Sequence, residues 1–215
     1  PLYKIKRGKS EKYISNDIEL NNYLSDIYFD SNEFHAGKTK IDKKEATSIL
    51  VNYRNVETTL LNISKSKDRD LLKSMCLLPP LDTSKSENVI SEYLLKLTDI
   101  VNINTPINCS YNLSYQPLDD NSFEIVVNKK VNGIPDISVL PINKKFFNSK
   151  IYTHLMSLNL HRYSNEPLKI KNESSTNAFP NIAKLCEYAF SSSRKLITLQ
   201  RYKGLGEMNP EQLAE

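Results

Sequence analysis

The sequence predicts an α+β fold, with a helical first half, a small antiparallel sheet in the second half and a strand at each end. Apolar residues recur at helical spacing between residues 16 and 101, whereas from residue 108 they alternate with polar ones. Short alternating runs also stand at "LYKIK" near the start and "KLITLQRY" near the end. These changes of period separate segregated helices and strands from a regular βαβ alternation.

The elements follow in order. In residues 2 to 14, "LYKIK" passes through Gly8 into "EKYI", a hairpin pattern whose alternation projects Lys4 and Lys6 from one side of a strand. Asn16 with Glu19 opens a short helix carrying Leu20, Tyr23, Leu24 and Ile27 on one face, and "DIYFDS" reads as a return to strand. Asp42, with Glu45 three residues on, caps a helix whose inward stripe is Ala46, Ile49, Leu50, Tyr53, Val56, Leu60 and Leu61. "DRDLLKSMCLL" is a second helical run, ended by Pro79-Pro80. "SENVISEYLLKLTDIV" is a third, with Ile90, Tyr93, Leu94 and Leu97 inward.

"CSYNLSYQ", "SFEIVVNKKV" and "IPDISVL" then read as strands, the last two joined by the hairpin dipeptide Asn132-Gly133. "KKFFNSKIYTHLMSLNL" reads as helix, "PLKIK" as strand and "NESSTN" as a polar linker. Pro180 starts a helix through Ile182, Leu185 and Ala189, and residues 196 to 202 form the final strand. The closing "NPEQLAE" has an N-cap in Asn209, proline at the first helical position and Gln212 where a capping box takes Glu or Gln. A strand at the first residues and a helix just begun at the last predict a piece of a longer polypeptide.

Composition excludes several classes. The 215 residues suffice for a sizeable core, and no apolar run approaches the roughly 20 residues that cross a bilayer. Cys76, Cys109 and Cys186 are dispersed, odd in number and never in a C-x-x-C pair, so neither a disulfide framework nor a zinc site is indicated; a reducing cytoplasm fits. A net charge of +4 permits anionic partners at local patches without demanding them.

One corner has the parts of a phosphate site. The last strand delivers Arg201 and Lys203 into Gly204-Leu205-Gly206, and Asn209 then caps a helix start whose free N–H groups favour an anion. Gly204 and Gly206 permit positive φ or close approach of another backbone. Because Asn209 fills the third glycine place, this is not the dinucleotide fingerprint. A tight strand-to-helix turn without further function explains the same residues.

Other constellations are weaker. Asp68-Arg69-Asp70 is a D-x-D string in a helical stretch, where positions two apart do not face each other, so it reads as a solvated helix start and not a metal site. Asp119-Asp120 reads as a turn. Tyr163 and Tyr202 follow arginines, but any of the 12 tyrosines could be singled out in some such way, and nothing local would lower a phenol from its usual ~10. His154 and His161 stand seven apart and His35 is isolated, so none has metal-ligand spacing. The clusters Lys38, Lys40, Lys43, Lys44; Lys65, Lys67, Arg69, Lys73; and Lys144, Lys145, Lys150 read as solvated faces.

"QRYKGLGEMNPEQL" resembles the motif that closes the TOPRIM domain of bacterial type IIA topoisomerase B subunits, and "PLYKIKRGKSEKYI" resembles the strand pair just upstream of it. The 185 residues between them, 15 to 199, resemble the large insertion in the TOPRIM domain of Gram-negative DNA gyrase B subunits. Weaker similarity runs through "HAGKTK", "SFEIVVNKKVNG" and "INKKFFNSKIY". Ala214 departs from the family, which usually has Trp there.

The resemblance implies two TOPRIM pieces, residues 1–25 and 194–215, flanking an insertion, residues 26–193. It implies that strand 196 to 202 shares a sheet with strand 2 to 6 and that Lys4, Lys6, Lys9, Arg201 and Lys203 contact DNA, with Gly204, Gly206 and Asn209 forming the turn at the DNA gate. The intact enzyme would form an A2B2 assembly with gyrase A subunits, use ATP and Mg²⁺ and introduce supercoils; the alternatives are a topoisomerase IV B subunit or another TOPRIM enzyme such as a primase or nuclease, and a non-enzymatic module that binds a protein partner. In the gyrase reading, the metal carboxylates would lie upstream of Pro1, and the attacking tyrosine in the gyrase A chain. The segment itself is therefore expected to hold no catalytic residue and no metal.

Overall fold

The computed structural model describes residues 2–63 and 67–213. Lys65 and Ala214 lie outside them, as does the side chain of Gln212 that the capping box invoked. The fold is α+β, and its sheets are antiparallel. The chain divides into two compact units. One comprises Pro1–Val51, Pro167–Pro180 and Leu185–Glu215; the other comprises Asn52–Glu166 and Asn181–Lys184.

The first unit opens with strands β1 (Leu2–Arg7) and β2 (Ser10–Ile14), joined through Gly8 at a φ of 61°. Helix α1 (Asp17–Tyr28) follows. Asn16 Oδ1 accepts the Glu19 N–H at 2.9 Å while Glu19 reaches back to the Ser15 N–H at 3.0 Å, so both ends of this start are satisfied. The expected strand at "DIYFDS" does not form. The helix runs on through Tyr28 because Leu24, Ile27 and Tyr28 continue its buried face. Two short strands that the periodicity does not announce follow, β3 (Glu33–Ala36) and β4 (Thr39–Lys40), a hairpin turning at Gly37 with φ 59°.

Helix α2 (Lys43–Leu61) starts where Asp42 Oδ1 and Oδ2 accept the Lys44 and Glu45 N–H groups, and it runs from the first unit into the second. In the second unit follow α3 (Arg69–Met75) and α4 (Glu87–Asn104), which buries the expected Ile90, Tyr93, Leu94 and Leu97. The long hairpin β5 (Cys109–Pro117) and β6 (Phe123–Val131) comes next. Asn102 of α4 blocks the outer edge of β5, donating to the Tyr111 carbonyl at 3.0 Å and accepting the Tyr111 N–H at 2.8 Å, as a neighbouring strand would.

Asn132 and Gly133, at φ 52° and 77°, turn β6 into β7 (Ile134–Pro135), matching the hairpin expected there. "IPDISVL" is strand only at its first two residues, because Asp136 then accepts the Ser138 N–H in a local turn. Strand β8 (Ile142–Asn143) leads to a 3₁₀ turn, Lys144–Asn148, and α5 (Lys150–Ser157). The single helix expected here is broken because Asn143 and Ser149 each cap a separate start. Phe146, Phe147 and Tyr152 form the aromatic core at this point.

The chain re-enters the first unit with β9 (Leu168–Lys171) and β10 (Thr176–Phe179). "NESS" is their hairpin tip, where Asn172 Oδ1 accepts the Ser174 and Ser175 N–H groups. Helix α6 (Ile182–Arg194) is capped by Asn181 and followed by β11 (Thr198–Tyr202), a 3₁₀ turn at Leu205–Glu207 and α7 (Pro210–Leu213). The first unit thus holds two sheets, in the orders β11-β1-β2 and β10-β9-β3-β4.

Candidate nucleic-acid interface

The first and last strands pair. β11 runs antiparallel to β1 with Leu2 opposite Tyr202, Lys4 opposite Gln200 and Lys6 opposite Thr198. Residues directly opposite in such a ladder project from the same face. Tyr3 and Ile5, 5% and 1% exposed, define the core face together with Ile14. Lys4 and Lys6 project from the other, along with Tyr13 and Glu11 of β2.

The structure therefore brings Lys4 and Lys6 together and separates them from Arg201. Arg201 stands opposite Tyr3, on the core-side face, where it is exposed at the end of the strand. The Tyr3 hydroxyl donates to Asp17, and burial followed by that contact holds its pKa above the ordinary value. Lys9 lies exposed in the Gly8 turn, and Lys203 follows β11, also exposed. The five basic residues expected on DNA do not form one patch. They occupy a sheet face, a hairpin tip and the end of β11.

The lysine face is also less positive than alternation alone suggests. Glu11 Oε2 lies 3.1 Å from Lys4 Nζ, which sits 5.7 Å from the Tyr13 ring centroid. The hydrogen bond to Glu11 raises the Lys4 pKa and occupies its ammonium. Lys6 and Lys9 have no ion pair among the described residues and remain available to an outside anion. Glu11 and Tyr13 are partners of the lysines that the sequence reading misses. Their signal is present in it, since a hairpin turning at Gly8 sets Lys6 opposite Glu11.

At the glycine turn, the Lys203 N–H donates to Glu207 Oε2 at 2.8 Å and the Glu207 N–H donates to the Gly204 carbonyl at 3.2 Å. Glu207 thus staples the turn shut. Neither Gly204 nor Gly206 has positive φ, and a Cβ built on either meets no atom within 4 Å. The expected in-chain reasons for glycine are both absent among the described residues: backbone handedness does not require it, and nothing crowds it. Asn209 immediately precedes α7, with Pro210 at its first position as expected.

The weaker candidates resolve into structure. Asp68 is the N-cap of α3, accepting the Leu71 N–H at 2.8 Å, but it is not solvated. Its side chain is 5% exposed and is held by Lys129 Nζ at 2.8 Å and the Tyr111 hydroxyl at 2.9 Å. Burial, then the neighbouring Asp68 charge, drives the Tyr111 phenol well above its ordinary range. Asp119 and Asp120 fall in a turn, Tyr202 is buried in the sheet, and Tyr163 lies beneath the Arg162 guanidinium at 5.5 Å. Among the described residues, no group of three or more His, Cys, Asp or Glu is placed to hold a metal ion, and no helix is long and apolar enough to cross a membrane.

Residues 33–161, more than half of the chain, match the DNA gyrase B subunit insert domain. The chain belongs to the DNA gyrase B subunit family. Residues 194–215 match a second region, the gyrase B carboxyl terminus. Along the whole chain, the DNA gyrase B subunit of Helicobacter pylori is 27% identical over 228 residues and that of Rickettsia prowazekii 26% over 228. The type 2 topoisomerase B subunit of Aquifex aeolicus is 24% identical over 219. The chain covers 25%, 26% and 26% of these gyrase-family relatives, about a quarter of their length.

Proposed function

We propose that this chain is the part of a gyrase B subunit in which two pieces of a TOPRIM domain, residues 1–25 and 194–215, carry an inserted domain, residues 26–193. In the intact protein, assembled with gyrase A chains as A2B2 in the bacterial cytoplasm, ATP binding and hydrolysis drive passage of one duplex through another and introduce negative supercoils. The segment contributes DNA and partner contacts and helps couple the ATPase end to the cleavage core. Mg²⁺ and ATP are held by other parts of the gyrase B chain, the metal stabilising charge on the phosphate being broken.

The observation that carries this reading is the β1–β11 ladder. It joins stretches almost two hundred residues apart in sequence into one sheet, so that everything between them leaves and returns at neighbouring strand ends. The match to the insert domain falls between the two strands, and the match to the carboxyl terminus contains the returning strand β11. Lys6, Lys9 and Lys203 serve as phosphate contacts, without sequence preference and weakened by salt. Lys4 contributes once Glu11 is displaced or outcompeted, and Arg201 serves a contact on the other side of the sheet. Gly204 and Gly206 keep the turn bare so that nucleic acid or a partner backbone approaches it closely.

Deleting residues 26–193 from the intact gyrase B chain, with a short linker in their place, tests the role of the insertion. The expected result is weaker DNA binding and slower ATP-dependent supercoiling at retained ATPase activity. Parental DNA affinity and supercoiling in the deletion variant would dispose of the coupling role.

A further inference from the structure

The sheet β10-β9-β3-β4 has one packed face and one face that carries its charged residues, where His35 is half-buried and the lysines are exposed. Phe34, Ala36, Leu168 and Ile170 are buried on the packed side. The intervening residues of β3 and β9 project from the other, and the register sets them in rows. One row runs Lys169, His35, Lys40 across β9, β3 and β4; the next sets Lys171 beside Glu33. Lys38, exposed in the turn after Gly37, adjoins the same end of the sheet.

Most of this face's negative charge is already spoken for. Glu33 is its one strand carboxylate, 2.9 Å from Lys40 Nζ and 3.0 Å from His35 Nε2; those hydrogen bonds, His35 first, hold its pKa below the usual range. Glu173 in the β9–β10 turn flanks the Lys171 corner. Lys169 and Lys171 are exposed and form no ion pair among the described residues. Four lysines against Glu33 leave the face at about plus three; the adjoining corner adds Glu173, Asp30, Asp42 and Lys43, with Asp30 already 2.7 Å from Lys43 Nζ, so the positive charge concentrates on Lys169, Lys171 and Lys38. Lys169 and Lys171 are two residues apart on one strand, roughly 6.8 Å, comparable with neighbouring phosphates along a nucleic-acid strand.

We propose that this lysine face of β9, β3 and β4 is a contact surface for the phosphate backbone of duplex DNA, separate from the Lys6 and Lys9 hairpin. The proposal rests on the reading that the segment works on DNA. The face favours a polyanion over a folded protein partner because, among the described residues, its strands present no Trp, Tyr, Phe or bulky aliphatic anchor there. Its strand neighbours are Thr176 and Ala178, whereas protein interfaces draw their affinity from buried anchors such as Trp, Tyr and Arg. A pleated backbone fixes the lysine spacing, while the side chains stay free to follow phosphates without reading bases.

The test uses the intact gyrase B chain containing this segment, assembled with its gyrase A partner, and linear duplex DNA of mixed sequence over a range of KCl. In Lys169→Glu/Lys171→Glu, DNA affinity falls on the order of tenfold at ~0.1 M salt, and the slope of log affinity against log salt shrinks by about 2. Lys169→Gln/Lys171→Gln shows a smaller loss in the same direction, and both variants melt at the parental temperature. Parental affinity and slope in both variants overturn the proposal, as does a loss confined to association with the gyrase A partner. A parallel Lys6→Glu/Lys9→Glu variant separates the two claims. If it alone weakens DNA binding, only the β9 surface is dismissed; if neither pair matters, the DNA reading of the segment fails with it.

Discussion

Lys129 Nζ lies 2.8 Å from Asp68 Oδ2, tying the last part of β6 to the start of α3 across 61 positions of sequence. Both groups are largely withdrawn from water, with side-chain exposures of 16% and 5%. Burial works to lower the lysine pKa, and the hydrogen bond and charge of Asp68 outweigh it, so the ammonium persists. Lys129→Met leaves the Asp68 carboxylate buried with Tyr111 and the Leu71 N–H as its partners among the described residues, at a cost of about 3 kcal/mol. Asp68→Asn/Lys129→Met keeps a helix cap and removes the stranded charge, so it is more stable than Lys129→Met alone. Urea midpoints of the four proteins in this double-mutant cycle measure both statements; an additive cycle would show the pair to be uncoupled.

That pair marks the boundary of what the sequence discloses. The helix starts at Asn16 and Asp42 and the hairpins at Gly8 and Asn132-Gly133 are legible because caps and turns are local chemistry. The "DIYFDS" and "IPDISVL" readings fail where short apolar runs fit either period and tertiary burial or a nearby Asx turn decides between them. Asp68 reads as solvated because nothing in "KDRDLL" announces Lys129 and Tyr111, which only folding delivers. In the candidate interface, the side of the strand taken by Lys4 and Lys6 follows from alternation. The opposite placement of Arg201 does not, since it depends on the register between β1 and β11.

The glycine turn offers a sharper test, because stability and function should separate there. With ordinary φ and open space at each built Cβ, Gly204→Ala and Gly206→Ala fold normally, gaining about 0.4–1 kcal/mol through a less flexible unfolded chain. If the bare turn serves close approach by DNA or a partner, the same substitutions lower DNA cleavage by the assembled enzyme. Thermal melting beside a cleavage assay reads the two effects. A drop in melting temperature of several degrees would show that the chain itself demands glycine at these positions.

Glu11 tempers the hairpin lysines. Glu11→Gln removes the carboxylate 3.1 Å from Lys4 Nζ and returns the Lys4 ammonium to solvent. The pair is solvent-exposed, so stability barely changes. DNA affinity rises at low salt, and the slope of log affinity against log salt steepens by about 1 as one more lysine becomes available to a phosphate. Titration of the variant against KCl checks this; an unchanged slope would place Lys4 away from the nucleic acid.

His161 makes stability depend on pH within the second unit. Burial lowers its pKa below the ordinary 6.5, and Nδ1 is buried without a hydrogen-bond partner among the described residues. The neutral ring suits this site and the protonated ring does not. The unfolded chain therefore binds the proton more readily than the folded one, and stability must fall as pH drops from the unfolded value through the folded one. The contribution is fully present above about pH 6.5, where both states carry a neutral imidazole. His161→Gln cannot titrate, so its stability changes less with pH across this window, whatever constant cost the substitution carries. Chemical denaturation of both proteins between pH 7.5 and pH 5, roughly bracketing an ordinary histidine, measures the difference in slope. Parallel slopes would mean that His161 takes up its proton as easily in the folded protein as in water.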